Sequence, residues 1–355
     1  MTTSFSSLPI VDLSILSSPS PSPSDLLALS KDLYNVFATT GFAYLTNAPL
    51  SFSHEDVFNL ASDFFSLPEA EKMQLAKQTF SKNNSNTYRG YFPPQPGQLD
   101  NLKEGLEIGP KGALPQLSSS RPRKFNLAEP NVWPSNPSFT PSRTRLETLY
   151  AELQSLSGTM LSLLAISLGK PADHFAHYLA DSLSTLRLLH YPPQPSTTAK
   201  AATASSTEPN LCCTPHTDSG ILTLLHQDPT GGLEVLNAAG AWVPAPYVPG
   251  SIVVNIGDLL ARVSGGRFVA TKHRVRTNSG GASGEDGMGR FSVPFFFEPG
   301  EACLVRGVEG GDAVVYGEYV RAKMGTWVEY QDDEAEEGGV AEPEGSAVAP
   351  AIEAY

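Results

Sequence analysis

The chain has 355 residues, 40% hydrophobic and 17% charged, with 30 glycines and 30 prolines. That apolar fraction supports a buried core and excludes wholesale disorder, and the Gly and Pro content favours turns and short strands over a helix bundle. The formal net charge of −13 argues against a binder of nucleic-acid phosphates. Much of the acidity is local: residues 331–355 hold eight Asp and Glu and no Lys or Arg, the pattern of a disordered, solvating tail. Three cysteines, two of them adjacent (Cys212, Cys213) and Cys303 alone, offer neither a disulfide scaffold nor a CxxC metal site. Residues 1–9 lack the basic and apolar regions of a signal peptide, and no run of 18 apolar residues occurs. The expectation is a soluble, cytoplasmic protein with no membrane partner and no nucleic-acid partner, working as a monomer on a small molecule.

In chain order, residues 8–13 read as a short opening strand and the Ser/Pro run 17–24 as a loop. Ser24 is placed to cap a helix reaching about Thr39, with Leu26, Leu29, Leu33, Val36 and Phe37 near helical spacing. Gly41 to Leu45 reads as a strand. Ser53 and Asp56 carry the spacing of a capping box, and residues 68–78 read as a third helix with Pro68 in its first turn. Residues 81–140 show no clear period. Leu146, Leu149, Leu153, Leu156, Met160, Leu163 and Leu164 then recur every three or four positions, predicting a long helix from Ser142 to Leu168, closed by Gly169 and Pro171.

After this helix the pattern changes. Leu186 to Tyr191 is strand-like, 194–210 is a low-complexity loop, and strands are predicted at 214–218, 221–226, 233–237, 251–256, 267–276 and 290–298. Strands at that spacing, with no helix between them, predict an antiparallel barrel or sandwich. The expected organisation is an N-terminal helical and α+β region (1–180) packed on a mainly β core (181–330), followed by the acidic tail (331–355).

Two segments carry chemistry. In Thr214-Pro-His-Thr-Asp-Ser-Gly220, His216 and Asp218 share one strand face and can grip one metal ion. His273 lies 55 residues on, at the start of another apparent strand. Two imidazoles and one carboxylate leave adjacent coordination positions open, which suits Fe(II) and O2 better than zinc. In Arg290-Phe-Ser292 a guanidinium and a hydroxyl share a face, and the apolar run Val293 to Phe297 after them marks a buried strand. A buried Arg needs an anionic partner, and a ligand carboxylate can supply one. His226 reads as a satisfied barrel histidine, His174 and His177 as surface or capping residues, Asp258 as a turn residue, and Cys212 and Cys213 as small buried hydrophobes.

Several further segments occur in a known order: Leu8-Pro-Ile-Val-Asp-Leu13, Gly41-Phe-Ala-Tyr-Leu45, Leu188-Leu-His-Tyr-Pro-Pro193, Gly232-Leu-Glu-Val235, Asn255-Ile-Gly-Asp258 and Lys272-His-Arg-Val275. Together with the two segments above, they resemble the iron(II)/2-oxoglutarate-dependent oxygenases of the isopenicillin-N-synthase-like family, over residues 8–325. The resemblance implies a double-stranded β-helix, or jelly roll, with helices packed outside. It implies Fe(II) on His216, Asp218 and His273, 2-oxoglutarate and O2 as cosubstrates, and ascorbate as a reductant. Arg290, Ser292 and Tyr191 would bind the distal carboxylate of 2-oxoglutarate.

The implied activity is a dioxygenase that hydroxylates, desaturates or rearranges a small molecule. Relatives without 2-oxoglutarate use the same Arg-x-Ser pair for the substrate's own carboxylate, and a non-catalytic binding barrel is a further alternative. Leu189 departs from the Asn common among plant relatives, and 279–289 reads as an inserted Gly/Ser loop. Candidates for the substrate pocket are Tyr88, Arg89, Tyr91, Glu104, Glu107, Phe295 and Phe297. The segment Lys103 to Gly109 resembles microbial members that act on specialised metabolites or small amino-acid-like compounds.

Overall fold

The computed structural model describes residues 3–94, 103–112, 114–115, 124–193, 211–276 and 289–324. The loop 194–210, all but the last residue of 279–289, and the tail 331–355 lie outside them.

The helices follow local rules. α1 (Pro23–Thr39) is capped by Ser22, whose Oγ accepts from the Asp25 N–H at 3.2 Å. The cap sits two residues before Ser24 because Pro23, with no N–H to satisfy, takes the first helical position. α2 (His54–Phe65) opens with the full Ser53/Asp56 capping box. α3 is shorter than its pattern, Glu69–Met73. α4 (Thr140–Ser167) buries the predicted leucine stripe and stops at Gly169, whose φ of +75° is the left-handed closure that glycine permits.

The strands form two facing sheets. The larger has the order β1 (Ile10–Asp12), β2 (Phe42–Thr46), β10 (Ser251–Ile256), β7 (Leu222–Gln227), β12 (Arg290–Phe297), β5 (Thr185–Tyr191), β4 (Glu104–Ile108), β3 (Gly90–Phe92). The smaller has the order β6 (Leu211–His216), β11 (His273–Arg276), β8 (Leu233–Leu236), β9 (Trp242–Pro244). All pairs are antiparallel except β1 with β2. A two-stranded hairpin, β13 (Leu304–Arg306) with β14 (Ala313–Val315), leads into α6 (Tyr316–Met324).

Alternation divides the large sheet. One face, with Leu186, Leu188, Leu222, Leu224, Ile252, Val254, Val293 and Phe295, packs in one core with Leu33, Phe64, Leu149 and Leu153 of the helices. The other face, with Phe42, Tyr44 and Val253, meets Leu233, Val235 and Val275 of the small sheet. This is the double-stranded β-helix with helices outside it. β1 to β4 extend the large sheet itself.

Four features depart from the expectation. β6 ends at His216, so Asp218 lies in the turn after it and not on the predicted strand 214–218. β3 and β4 lie inside the stretch without a period; every residue of both is buried, and β4 buries two acids, Glu104 and Glu107, so its sequence shows neither an apolar run nor an alternation. A short helix, α5 (Asp258–Val263), interrupts the predicted run of strands, and β9 is an additional strand. Of the predicted strand 267–276, only His273–Arg276 pairs, while Phe268 turns to pack on Tyr34 and Phe37.

Candidate active site

His216 closes β6, His273 opens β11, and the two stand opposite each other in register. Their rings are 4.2 Å apart at the centroids, and both Nε2 atoms lie 3.8 Å from Asp218 Oδ1. Each Nδ1 faces a backbone carbonyl on its own segment, Thr214 O at 2.8 Å and Thr271 O at 3.2 Å. With Nδ1–H donating there, the Nε2 lone pairs converge on the Asp218 carboxylate. Asp218 Oδ2 accepts from Thr223 Oγ1 at 2.6 Å on β7 and from Asn255 Nδ2 at 2.8 Å on β10, which leaves Oδ1 for the shared point. Two imidazole nitrogens and one carboxylate oxygen, all within 4.8 Å of one another, fit a facial iron triad.

Two of the three charge states suit a cation and the third opposes it. Burial works to lower the His216 imidazole, but Cys213, Asp218 and Thr214 O outweigh it and raise its pKa to about 9, so it must give up a proton when metal binds. Burial pushes the His273 imidazole down, and the neighbouring His216 adds to this, so it stays neutral. Burial works against the Asp218 carboxylate, but the two imidazoles, Asn255 and Thr223 outweigh it and hold its pKa below the usual range. A neutral imidazole and an ionised carboxylate are the forms that bind metal. Thr223 and Asn255 are partners that the sequence pattern does not single out. Asn255 stands in a quoted segment, but its contact depends on two non-adjacent strands.

Arg290, at the start of β12, faces Tyr191 across the β5 pairing, with its guanidinium carbon 4.8 Å from the ring centroid. Ser292 follows on the same face, between Leu189 and Gln227. Arg290 is 6% exposed. Its Nε donates to Gly231 O at 2.8 Å, while its Nη1 has no partner and no carboxylate pairs with it among the described residues. A buried guanidinium with an unused N–H is costly unless an anion reaches it.

The other end of the same face differs from the expectation. Continuing from Arg290 and Ser292, the alternation leads to Phe296, which is partly exposed and registered against Thr223, the residue that holds Asp218. The Arg187 guanidinium lies 5.3 Å from the Phe296 ring and 5.8 Å from Phe92, and pairs with Glu107, whose other oxygen meets Lys77.

Phe295 and Phe297 point the opposite way, into the helix-side core, where Phe295 meets Tyr150 of α4 edge-on at 5.2 Å. Tyr91 also faces the helices: its hydroxyl donates to Glu104 Oε2 at 2.6 Å, beside Lys72 and His190. Tyr88 is in the core, and Arg89, 1% exposed, donates to Thr185 Oγ1 at 2.6 Å and Leu183 O at 2.8 Å. Of the substrate candidates, Glu107 alone shares the face of Arg187.

His226 is buried on the helix side with its ring 5.4 Å from His54. Cys213 Sγ lies 3.7 Å from His216 Nδ1. Asp258 starts α5 and does not form an isolated turn.

Residues 182–299 match the model of the 2OG-Fe(II) oxygenase superfamily, and residues 8–136 match the non-haem dioxygenase N-terminal model named for morphine synthesis. A 2-oxoglutarate-dependent dioxygenase of Gibberella zeae is 34% identical over 83% of this chain and 76% of its own length. The chain belongs to the 2-oxoglutarate- and Fe(II)-dependent oxygenases. A homoarginine-6-hydroxylase of Oryza sativa subsp. japonica is 32% identical over 91% of this chain and 98% of its own. The crystal structure of a full-length Neurospora crassa protein in complex with alpha-KG and thymine superposes with a TM-score of 0.74 at 26% identity, covering 92% of this chain and 99% of that one. This oxygenase therefore uses Fe(II) and 2-oxoglutarate. Among its described residues, no helix is long and apolar enough to cross a membrane.

Proposed function

We propose that this oxygenase hydroxylates a small specialised metabolite in a lumen organised from end to end along β12 and β5. His216, Asp218 and His273 hold Fe(II). Arg290, Ser292 and the Tyr191 hydroxyl hold the distal carboxylate of 2-oxoglutarate. The substrate occupies the opposite end, against Phe296 and the Arg187–Glu107 pair. The bound metal supplies O2 activation, with 2-oxoglutarate as the co-reductant.

The protein's own part is placement. Thr223 and Asn255 keep Asp218 turned to one oxygen, and the buried Arg290 fixes the length of cosubstrate the lumen accepts. The observation that carries this reading is the register of β12: Arg290 faces Tyr191 at one end, and Phe296 faces Thr223, the partner of Asp218, at the other. An aromatic ring under a guanidinium favours a planar substrate with a hydrogen-bond acceptor or a carboxylate.

The 181–330 segment forms the catalytic core, and the cytoplasm is the proposed compartment. The test is to incubate Fe(II)-loaded protein with metabolite extracts, 2-oxoglutarate and O2. Succinate release coupled to a mass gain of one oxygen in a metabolite supports the proposal. O2 uptake that does not depend on 2-oxoglutarate overturns it.

A further inference from the structure

The turn after β6 that carries Asp218 is held by its three consecutive carbonyls. Asp218 O accepts from the Asp258 N–H at 2.7 Å and Gly220 O accepts from the Leu259 N–H at 3.1 Å, both donors being in the first turn of α5. Between them, Ser219 O accepts from the Tyr319 hydroxyl of α6 at 2.9 Å. The contact is close: a Cβ on Gly257 would lie 2.3 Å from Gly220 O.

The helix that brings Tyr319 is itself anchored. Tyr316 N–H donates to Cys303 O and Gly317 N–H to Glu301 O, both at 2.9 Å, and Arg321 pairs with Glu301. Val320 and Met324 enter the helix-side core. Lys323 Nζ lies 3.6 Å from Asp258 Oδ2, so α6 also touches the residue whose N–H holds Asp218 O.

From this geometry we infer that Tyr319 is a positioning residue for the metal centre, through which α6 sets the approach of the Asp218 carboxylate. The inference rests on the assignment of Asp218 as a ligand. Two of the three carbonyl bonds come from backbone N–H groups fixed by α5. The third comes from a side chain on a separate element, 100 residues away in sequence, and its loss frees the middle of the turn without disturbing either neighbour. Partners outside the coordination sphere commonly change metal affinity by about 10- to 100-fold. A bond one peptide removed from the ligand should act at or below the low end, about three- to tenfold.

The test is Tyr319→Phe in the full chain, with Co(II) and Fe(II) titrated anaerobically. The expected result is a dissociation constant raised by about three- to tenfold and an altered Co(II) ligand-field spectrum, with the melting temperature of the metal-free protein unchanged. Tyr150→Phe, which removes a buried hydroxyl bonded to Ser184 O at 2.9 Å, should leave metal affinity as in the wild type. Equal affinity and spectrum in Tyr319→Phe overturn the inference, as does a lowered melting temperature with unchanged affinity. Asp218→Ala in the same titration separates the two levels. If it retains tight Co(II), the ligand assignment falls and the inference falls with it. If it loses the metal while Tyr319→Phe does not change, the inference alone falls.

Discussion

Replacing Arg290 by Ala tests the cosubstrate end of the lumen directly. The guanidinium is 6% exposed, has one bond to Gly231 O, and keeps Nη1 unused among the described residues. A bound carboxylate would meet it in a dry setting, where charge-assisted bonds are strong. Truncating one partner of a buried, hydrogen-bonded charge pair costs about 2–5 kcal/mol. At about 1.4 kcal/mol per tenfold, 2-oxoglutarate should bind about thirtyfold to several thousandfold more weakly. Arg290→Lys should fall between, because it keeps the charge and loses the planar fork. The assay is anaerobic titration of 2-oxoglutarate into protein already loaded with Fe(II), alongside a metal titration that should not change. An Arg290→Ala protein that is folded and metal-loaded but binds 2-oxoglutarate as tightly as the wild type would refute the assignment.

Asp218→Ala and His273→Ala should each abolish stoichiometric Fe(II) binding measured by metal analysis, since two remaining donors make a poor site. Phe295→Ala should lower stability by about 3–5 kcal/mol in denaturant unfolding, the usual cost of a buried aromatic. Phe296→Ala should melt near the wild type and instead raise KM for the substrate. Burial pushes the Glu298 carboxyl up to about 7. Its folded pKa therefore exceeds the unfolded one, and its stabilisation is complete below the unfolded pKa and lost as pH rises through about 7. Glu298→Gln should thus stabilise the protein above that pH by up to about 3 kcal/mol and have little effect in acid, which melting curves across pH will show.

The parts of the molecule that are legible in the sequence are those governed by neighbours in the chain. The Ser53/Asp56 box, the leucine stripe of α4 and its Gly169 stop depend on three- and four-residue spacing, and the structure has all three. Arg290 with Ser292 is legible for the same reason, two residues apart on one strand face. His216 with Asp218 is legible by spacing alone, because β6 ends at His216 and Asp218 stands in the turn after it, held by α5, Thr223 and Asn255. His273, far away in sequence, joins them through a resemblance of motifs, not through spacing.

Period-two geometry does not say which face of a strand turns inward. Phe295 and Phe297 attract attention in the sequence although the alternation from Arg290 leads to Phe296, because in a strand buried on both sides every position looks apolar. β4 is hidden for a different reason: it buries Glu104 and Glu107 against Lys72, His190, Lys77 and Arg187, partners from distant segments, so its sequence shows neither an apolar run nor an alternation. Thr223, Asn255 and Arg187 become visible only with the pairing of β7, β10, β12 and β5, because a side chain's partner in a sheet depends on cross-strand register, which the packing of distant segments sets.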